Sequence, residues 1–291
     1  MMGKGKMNIA LIQHQCGESH EQNIQTAEKM ITEAAQQGAK IICTQELFAG
    51  QYFPQTIDVN KYEWAEPIPG PICNRMQSLS EELGVVIIVS LYEYVRDGLY
   101  FNTVVVYEEG EYLGKYRKHH IPEGPQYIEK YYFTEGDTGY PVFKTKYGTI
   151  GVLICWDEWF PEPSRILALK GADVVFYPSA IGSEPDNPGL DTSQTWMDAI
   201  RAHGIHNNMF IAAVNRVGRE DSNEGHMTFY GRSFISNPWG TVIKEAETKE
   251  NEIIMAEIDL SEVTHARNVL QFHRDRRPDS YGELLKRVIE E

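Results

Sequence analysis

Cysteine is scarce in this sequence: Cys16, Cys43, Cys73 and Cys155 are its only thiols, and no two form a Cys-x-x-Cys pair. That pattern argues against a disulfide-stapled scaffold and leaves a reduced, cytosolic protein as the expectation. Long apolar runs are missing too. Met1 to Lys6 carries two lysines, but no apolar stretch of signal-peptide character follows, and none approaches the roughly 20 residues that cross a bilayer. Positive charge is in short supply: 27 Lys and Arg against 42 Asp and Glu leave a formal charge of −15. An acidic surface argues against nucleic acid and anionic membranes as partners and mildly favours steering of a cation. Nine histidines are present, but neither His119-His120 nor His203 with His206 has the acidic or cysteine companion that would complete a ligand set. No metal and no cofactor are expected.

Linkers, low-complexity tracts and internal repeats are also lacking, which favours one domain. Hydrophobic residues make up 42% and aromatics 11% of the chain, enough for a sizeable core. Periodicity predicts strands over 7–13, 40–44, 85–91, 150–154, 174–177 and 210–214, with a 101–107/111–116 hairpin turning at Glu108-Glu109-Gly110. Helices are predicted over 21–37, stopped by Gly38, over 72–83, stopped by Gly84, and over 163–170 and 196–207. The late strands 230–235, 241–246 and 252–258 read as a β meander. Strands alternating with helices, interrupted by hairpins, indicate an α/β domain with mixed sheets.

Cys155 ends the apolar run Ile150 to Ile154 and opens Cys155-Trp156-Asp157-Glu158-Trp159-Phe160-Pro161. A thiol there stands on rigid backbone beside amide N–H groups, although a small buried hydrophobe is the usual fate of a free cysteine. Two further segments weight the reading toward a nucleophile. Glu46 follows the apolar strand at Ile41-Ile42-Cys43-Thr44-Gln45, and Lys118 leaves a hairpin in Lys115-Tyr116-Arg117-Lys118-His119-His120-Ile121-Pro122. A thiol needs a base or a cationic neighbour. Glu46 can take its proton, and Lys118 can hold an oxyanion.

These three segments together resemble the nitrilase superfamily of carbon-nitrogen hydrolases, whose triad is glutamate, lysine and cysteine in that chain order. The likeness runs from about Met7 to about Asp259. Within the superfamily it points toward enzymes acting on N-carbamoyl amines, through His119-His120-Ile121-Pro122, Tyr127-Ile128-Glu129-Lys130-Tyr131-Tyr132-Phe133, Gly136-Asp137-Thr138-Gly139 and Ala180-Ile181-Gly182-Ser183-Glu184-Pro185. The resemblance implies a four-layer αββα sandwich of two mixed sheets, occupying residues 1–265. It implies a tail over 266–291 that packs at an interface of a homo-oligomer built on dimers; a frayed surface helix is the competing reading. It also implies a second glutamate that orients Lys118. Glu129 stands at the family spacing, with Glu123 as the competing candidate.

The implied chemistry is attack by a Cys155 thiolate on a ureido carbonyl, with Lys118 and the Trp156 N–H holding the oxyanion and Glu46 moving protons. The implied substrate is a small cationic ureide, N-carbamoylputrescine, cleaved to putrescine, ammonia and carbon dioxide through a thioester. Relatives that bind carboxylate-bearing substrates place asparagine and arginine just after the cysteine. Here stands Trp156-Asp157-Glu158-Trp159, without the arginine suited to a carboxylate. Glu184 is the candidate partner for a substrate ammonium, or else a solvated loop acid. Trp156 and Trp159 are either core or pocket wall, and Asp157 is expected to cap the following helix. Arg216 either joins the pocket or pairs with surface acids. Other amidases, N-carbamoyl amino acid hydrolases and nitrilases would use the same triad, a thiol redox protein would want a resolving cysteine, and an idle scaffold would need none of the three.

Overall fold

The computed structural model describes residues 5–184, 187 and 189–289. Pro185 of the quoted loop, Met1 to Lys4, and Glu290 and Glu291 of the tail lie outside the described residues. Two six-stranded sheets are present. The first runs in the order Glu252–Asp259, Lys6–Gln13, Ala39–Thr44, Val86–Arg96, Leu99–Glu108, Glu111–Arg117. The second runs Val242–Glu245, Phe234–Ser236, Phe210–Asn215, Val174–Ser179, Gly148–Val152, Val142–Thr145. In each, three central strands are parallel and the outer ones antiparallel.

Strand periodicity builds the layers. Along Lys6–Gln13, Ile9 and Leu11 enter the cluster shared with Val152, Val174 and Phe176 of the second sheet. Ala10 and Ile12 face the other way, onto Ile24, Ala27 and Ile31 of helix His20–Gln36 and Met76 of helix Pro71–Leu83. Both faces of the central strands are therefore buried, as the near-continuous apolar runs require. Each such side chain contributes about 1.5–3 kcal/mol of transfer free energy. Helices Pro161–Leu169 and Ser193–Asn207 pack through Leu167 and Trp196 onto the second sheet. The predicted stop at Gly84 is made in a left-handed conformation, φ 63°, its N–H bonded to Glu81 and Ser80 carbonyls. This residue needs no Cβ there.

Three expectations are corrected. The late strands are not a meander: Glu252–Asp259 leaves its sequence neighbours and pairs antiparallel with Lys6–Gln13 in the other sheet. Local pattern could not show this, because strand partners are chosen by long-range burial. The strand before Cys155 ends at Val152, not Ile154. Tyr230 ends an unforeseen hairpin, Val217–Ser222 with Gly225–Tyr230, which carries polar residues on one face. Helix Ser261–Leu270 crosses the 265/266 boundary, with Val263 and Ala266 buried. Beyond it the chain is largely exposed.

Candidate active site

Glu46, Lys118 and Cys155 each sit just past the C-terminal end of a strand: Ala39–Thr44, Glu111–Arg117 and Gly148–Val152. All three side chains are buried, Cys155 retaining 4% of its surface. Cys155 does not end a strand. It opens a 3-10 turn, Cys155–Trp159, at φ 44°, a left-handed conformation that few side-chain-bearing residues adopt. Such geometry is paid for by surrounding structure and lifts the sulfur out of the strand line.

Lys118 is the hub. Its Nζ donates to Glu46 Oε1 at 2.9 Å and to Glu129 at 2.9 and 2.7 Å. Glu129 therefore lies beside the lysine, while Glu123 is exposed and, among the described residues, accepts from the Lys130 N–H. Asn102 donates to Glu46 Oε1 at 2.7 Å, and the Tyr52 hydroxyl donates to Glu129 Oε1 at 2.6 Å. Glu46 Oε2 is buried and has no hydrogen-bond partner among the described residues. That oxygen is the one free to receive a proton. The motif Gly136-Asp137-Thr138-Gly139 wraps the lysine backbone: Gly136 N–H donates to the Lys118 carbonyl at 2.8 Å, and the Thr138 hydroxyl accepts from Arg117 N–H. A Cβ on Gly136 would lie 2.1 Å from the Arg117 carbonyl oxygen, so only glycine permits this approach.

Electrostatics assign the resting protons. Burial alone would lower the Lys118 pKa, but Glu129, Glu46 and Cys155 together hold it well above its ordinary value. The ammonium stays charged. One ammonium cannot neutralise two carboxylates, and Glu129 is pushed up by burial and by Glu46 against the pull of Lys118. Burial and the Glu46 charge raise the Cys155 thiol well above its usual range, outweighing Lys118. The resting group is thus the thiol.

Cys155 opens on a pocket of about 480 Å³ whose lining includes Trp156, Trp159, Tyr127, Ile181, Glu184 and Thr192. Trp156 is 39% exposed and meets Trp159 edge-on at 6.3 Å; both line the pocket, and Trp159 also packs against the core. Glu184 is held by the Thr192 hydroxyl at 3.1 Å, and Thr192 in turn contacts the Tyr230 hydroxyl at 2.6 Å. Among the described lining residues are two carboxylates, Glu123 and Glu184, and no lysine or arginine.

Two sequence assignments fail here. Asp157 does not cap the helix that follows. It is buried, and its oxygens accept from Ile154 N–H and Tyr116 hydroxyl on one side and from His120 N–H and ring on the other. Arg216 reaches neither pocket nor surface. It is buried against the carbonyls of Glu46, Leu47 and Gly50 and the Glu220 carboxylate. Asn102, Tyr52 and Glu158 escaped the sequence reading. An asparagine within the apolar Phe101 to Tyr107 strand was the one available signal, because an amide buried in a strand needs a partner. Cys43 is buried, its thiol bonded to the Thr44 carbonyl, and all four cysteines are free. Among the described residues no group of three or more His, Cys, Asp and Glu side chains is arranged to hold a metal, and no helix is long and apolar enough to cross a membrane.

Residues 8–268 match the family model for carbon-nitrogen hydrolases. The chain belongs to the carbon-nitrogen hydrolase family. It is 45% identical to N-carbamoylputrescine amidase of Oryza sativa subsp. japonica, covering 96% of this chain and 95% of that protein. It is 36% identical to a citrullinase of Francisella tularensis, covering 97% and 99%. Among solved structures, a carbon-nitrogen hydrolase from Helicobacter pylori G27 superposes with a TM-score of 0.92 at 36% identity, covering 98% of this chain and all of that one. The carbon-nitrogen hydrolase fold expected from the triad segments, two sheets face to face with helices outside, is the fold observed.

Proposed function

We propose that this carbon-nitrogen hydrolase is a thiol amidohydrolase that cleaves N-carbamoylputrescine to putrescine, ammonia and carbon dioxide. One observation carries the choice of substrate: the pocket that holds Cys155 is lined by carboxylates and indoles, with no cation among its described residues. A ureide whose far end is an ammonium fits such a lining through charge pairing with Glu184 and cation–π attraction to Trp156 or Trp159. A substrate ending in a carboxylate finds no partner there. The 45% identity to a plant amidase of that name supports the same reading.

Cys155 Sγ attacks the ureido carbon while its proton passes to Glu46. The oxyanion forms against Lys118 Nζ and the Trp156 N–H. Glu46 then returns the proton to the departing nitrogen, the C–N bond breaks, and an acyl thioester remains on Cys155. Water, deprotonated by Glu46, displaces the sulfur. The carbamate released loses carbon dioxide, so one water is consumed per ureide. Glu129 acts through Lys118, holding the ammonium in place.

Ammonia release from N-carbamoylputrescine, N-carbamoyl-β-alanine, citrulline and a simple nitrile tests the proposal. The cationic ureide is expected to lead by about tenfold or more in kcat/KM, and Cys155→Ala to abolish turnover. Preference for N-carbamoyl-β-alanine would overturn the pocket assignment. Glu129→Gln should lower kcat by about 10–100-fold, with Glu123→Gln near wild type; the reverse order would exchange the two glutamates.

Residues 266–291 are assigned in the same reading to an interface between copies of a homo-oligomer. Leu284 and Leu285, 68% and 93% exposed, support this. Light scattering on the full chain and on a chain ending at 270 tests it, and an unchanged mass would reject it.

A further inference from the structure

Glu158 is wholly buried, three residues after the nucleophile and in the same 3-10 turn, yet the mechanism above gives it nothing to do. Its Oε2 lies 2.7 Å from Ser179 Oγ. Its Oε1 meets no donor at full hydrogen-bond geometry, the buried Trp196 indole N–H being the one side-chain donor besides Ser179 that acts on this carboxyl, and no cation is bonded to either oxygen among the described residues. Lys118, the nearest candidate, is already held between Glu46 and Glu129. An ionised carboxylate in this setting would be a buried charge with no cation bonded to it, a costly arrangement in a protein interior.

The proton inventory resolves the difficulty. The Ser179 hydroxyl has one hydrogen and two acceptors in reach, Glu158 Oε2 at 2.7 Å and the Tyr177 carbonyl at 3.3 Å. With a proton on Glu158 Oε2, that group donates to Ser179 Oγ, and the serine hydrogen turns to the Tyr177 carbonyl. The Glu158 and Ser179 hydrogens then both have acceptors, and Oε1 is a neutral carbonyl rather than half of an anion.

We propose that Glu158 is a positioning residue kept as the neutral acid, and that its ionisation sets the alkaline limit of catalysis. Its side chain braces the Cys155–Trp159 turn against the end of the Val174–Ser179 strand, while its carbonyl accepts from His203 Nε2 at 2.7 Å on helix Ser193–Asn207. Both anchors hold the turn that presents the sulfur and the Trp156 N–H. The titratable and charged groups around it are Cys155 and Asp157 on its own turn, Tyr177 on the strand, His203 on the helix, and Glu46 and Lys118 across the site. Burial keeps His203 neutral and Tyr177 un-ionised. Burial likewise pushes Glu158 up to about 8, with Glu46 adding to it. A negative charge arriving on Glu158 raises the Cys155 thiol further and so opposes the attack.

The test is the profile of kcat/KM between about pH 6 and 10 for wild type, Glu158→Gln and Glu158→Ala. The wild type is expected to decline above about pH 8, following the loss of the neutral acid. Glu158→Gln keeps the shape and hydrogen bonding of that acid without a titrating proton. It should stay within about twofold of wild type at neutral pH and carry its plateau at least about one pH unit further. Glu158→Ala should lose about tenfold or more throughout, since it leaves the turn unbraced. Infrared difference spectra between wild type and Glu158→Gln supply a readout that needs no substrate: a protonated-carboxyl band that fades with the same midpoint. Failure of the N-carbamoylputrescine assignment would leave that measurement intact. A Glu158→Gln profile superimposable on wild type, absence of the band at neutral pH, or inactivity of folded Glu158→Gln would each overturn the proposal. Should Glu158→Ala fail to fold, the glutamine variant and the infrared band decide alone.

Discussion

Arg216 and Glu46 follow strands of opposite sheets, and the Arg216 guanidinium donates to the Glu46 carbonyl at 3.0 Å. The same guanidinium bonds the carbonyls of Leu47 and Gly50, so the segment carrying Glu46 is fixed by one side chain from across the sandwich. Glu220 neutralises it at 2.7 Å. Buried on all sides, the arginine sets where Glu46 stands.

Arg216→Ala is therefore expected to destabilise the fold by about 3–5 kcal/mol, because Glu220 would be left as a buried unpaired charge. Arg216→Lys keeps the charge but lacks the planar fork that serves several acceptors at once. It should fold, and lower kcat by about tenfold or more with KM little changed. Denaturant melts and steady-state kinetics check the pair. A lysine variant with wild-type kcat would show that Glu46 is placed by other contacts.

Asp157 plays the matching part between the lysine and the cysteine. Tyr116 and His120 flank Lys118, Ile154 precedes Cys155, and all three donate to this one carboxylate. Asp157→Asn retains the size but turns one acceptor into a donor facing donors. The expected cost is about 1–3 kcal/mol of stability, with kcat falling more than KM rises. Equal losses in kcat and kcat/KM from Tyr116→Phe, at smaller size, would trace the effect to the clamp.

The candidate triad was legible because the proposed chemistry asks for a residue type at a strand end, and Glu46, Lys118 and Cys155 each stand there. What holds them was not. Asp157 reads locally as a helix cap, and only the approach of the Glu111–Arg117 strand makes it a clamp. Arg216 reads as a pocket residue or a partner of surface acids, because the carbonyls it serves lie about 170 positions away in the chain. The strand Glu252–Asp259 was found but misplaced, since its partner is the first strand of the chain. Periodicity reports which face of a strand is buried and says nothing of which strand lies beside it.

Buried His14 gives the fold an acid sensitivity. Burial lowers its pKa to about 4, opposed by the Gln15 carbonyl and aided by Arg216. The unfolded chain binds a proton near pH 6.5, so stability falls as pH drops below that value and levels off near pH 4, a loss of about 3 kcal/mol. Urea titrations of wild type and His14→Gln across that window should differ in slope, the variant being flatter. Parallel curves would mean that the imidazole is charged or solvated in the folded state.

In the proposed reading, Glu184 is the group on which discrimination by charge rests. It lines the Cys155 pocket and is steadied by Thr192, which is itself tied to Tyr230. Glu184→Gln preserves the Thr192 contact and removes only the charge. A half-exposed ion pair contributes about 1 kcal/mol, so KM for N-carbamoylputrescine should rise by about three- to tenfold while kcat changes less. A ureide with an uncharged alkyl end should be turned over equally well by both proteins. Raising the salt concentration should weaken the cationic substrate for the wild type and leave the variant unaffected. If the variant loses both substrates equally, Glu184 shapes the pocket wall and the ammonium is bound elsewhere.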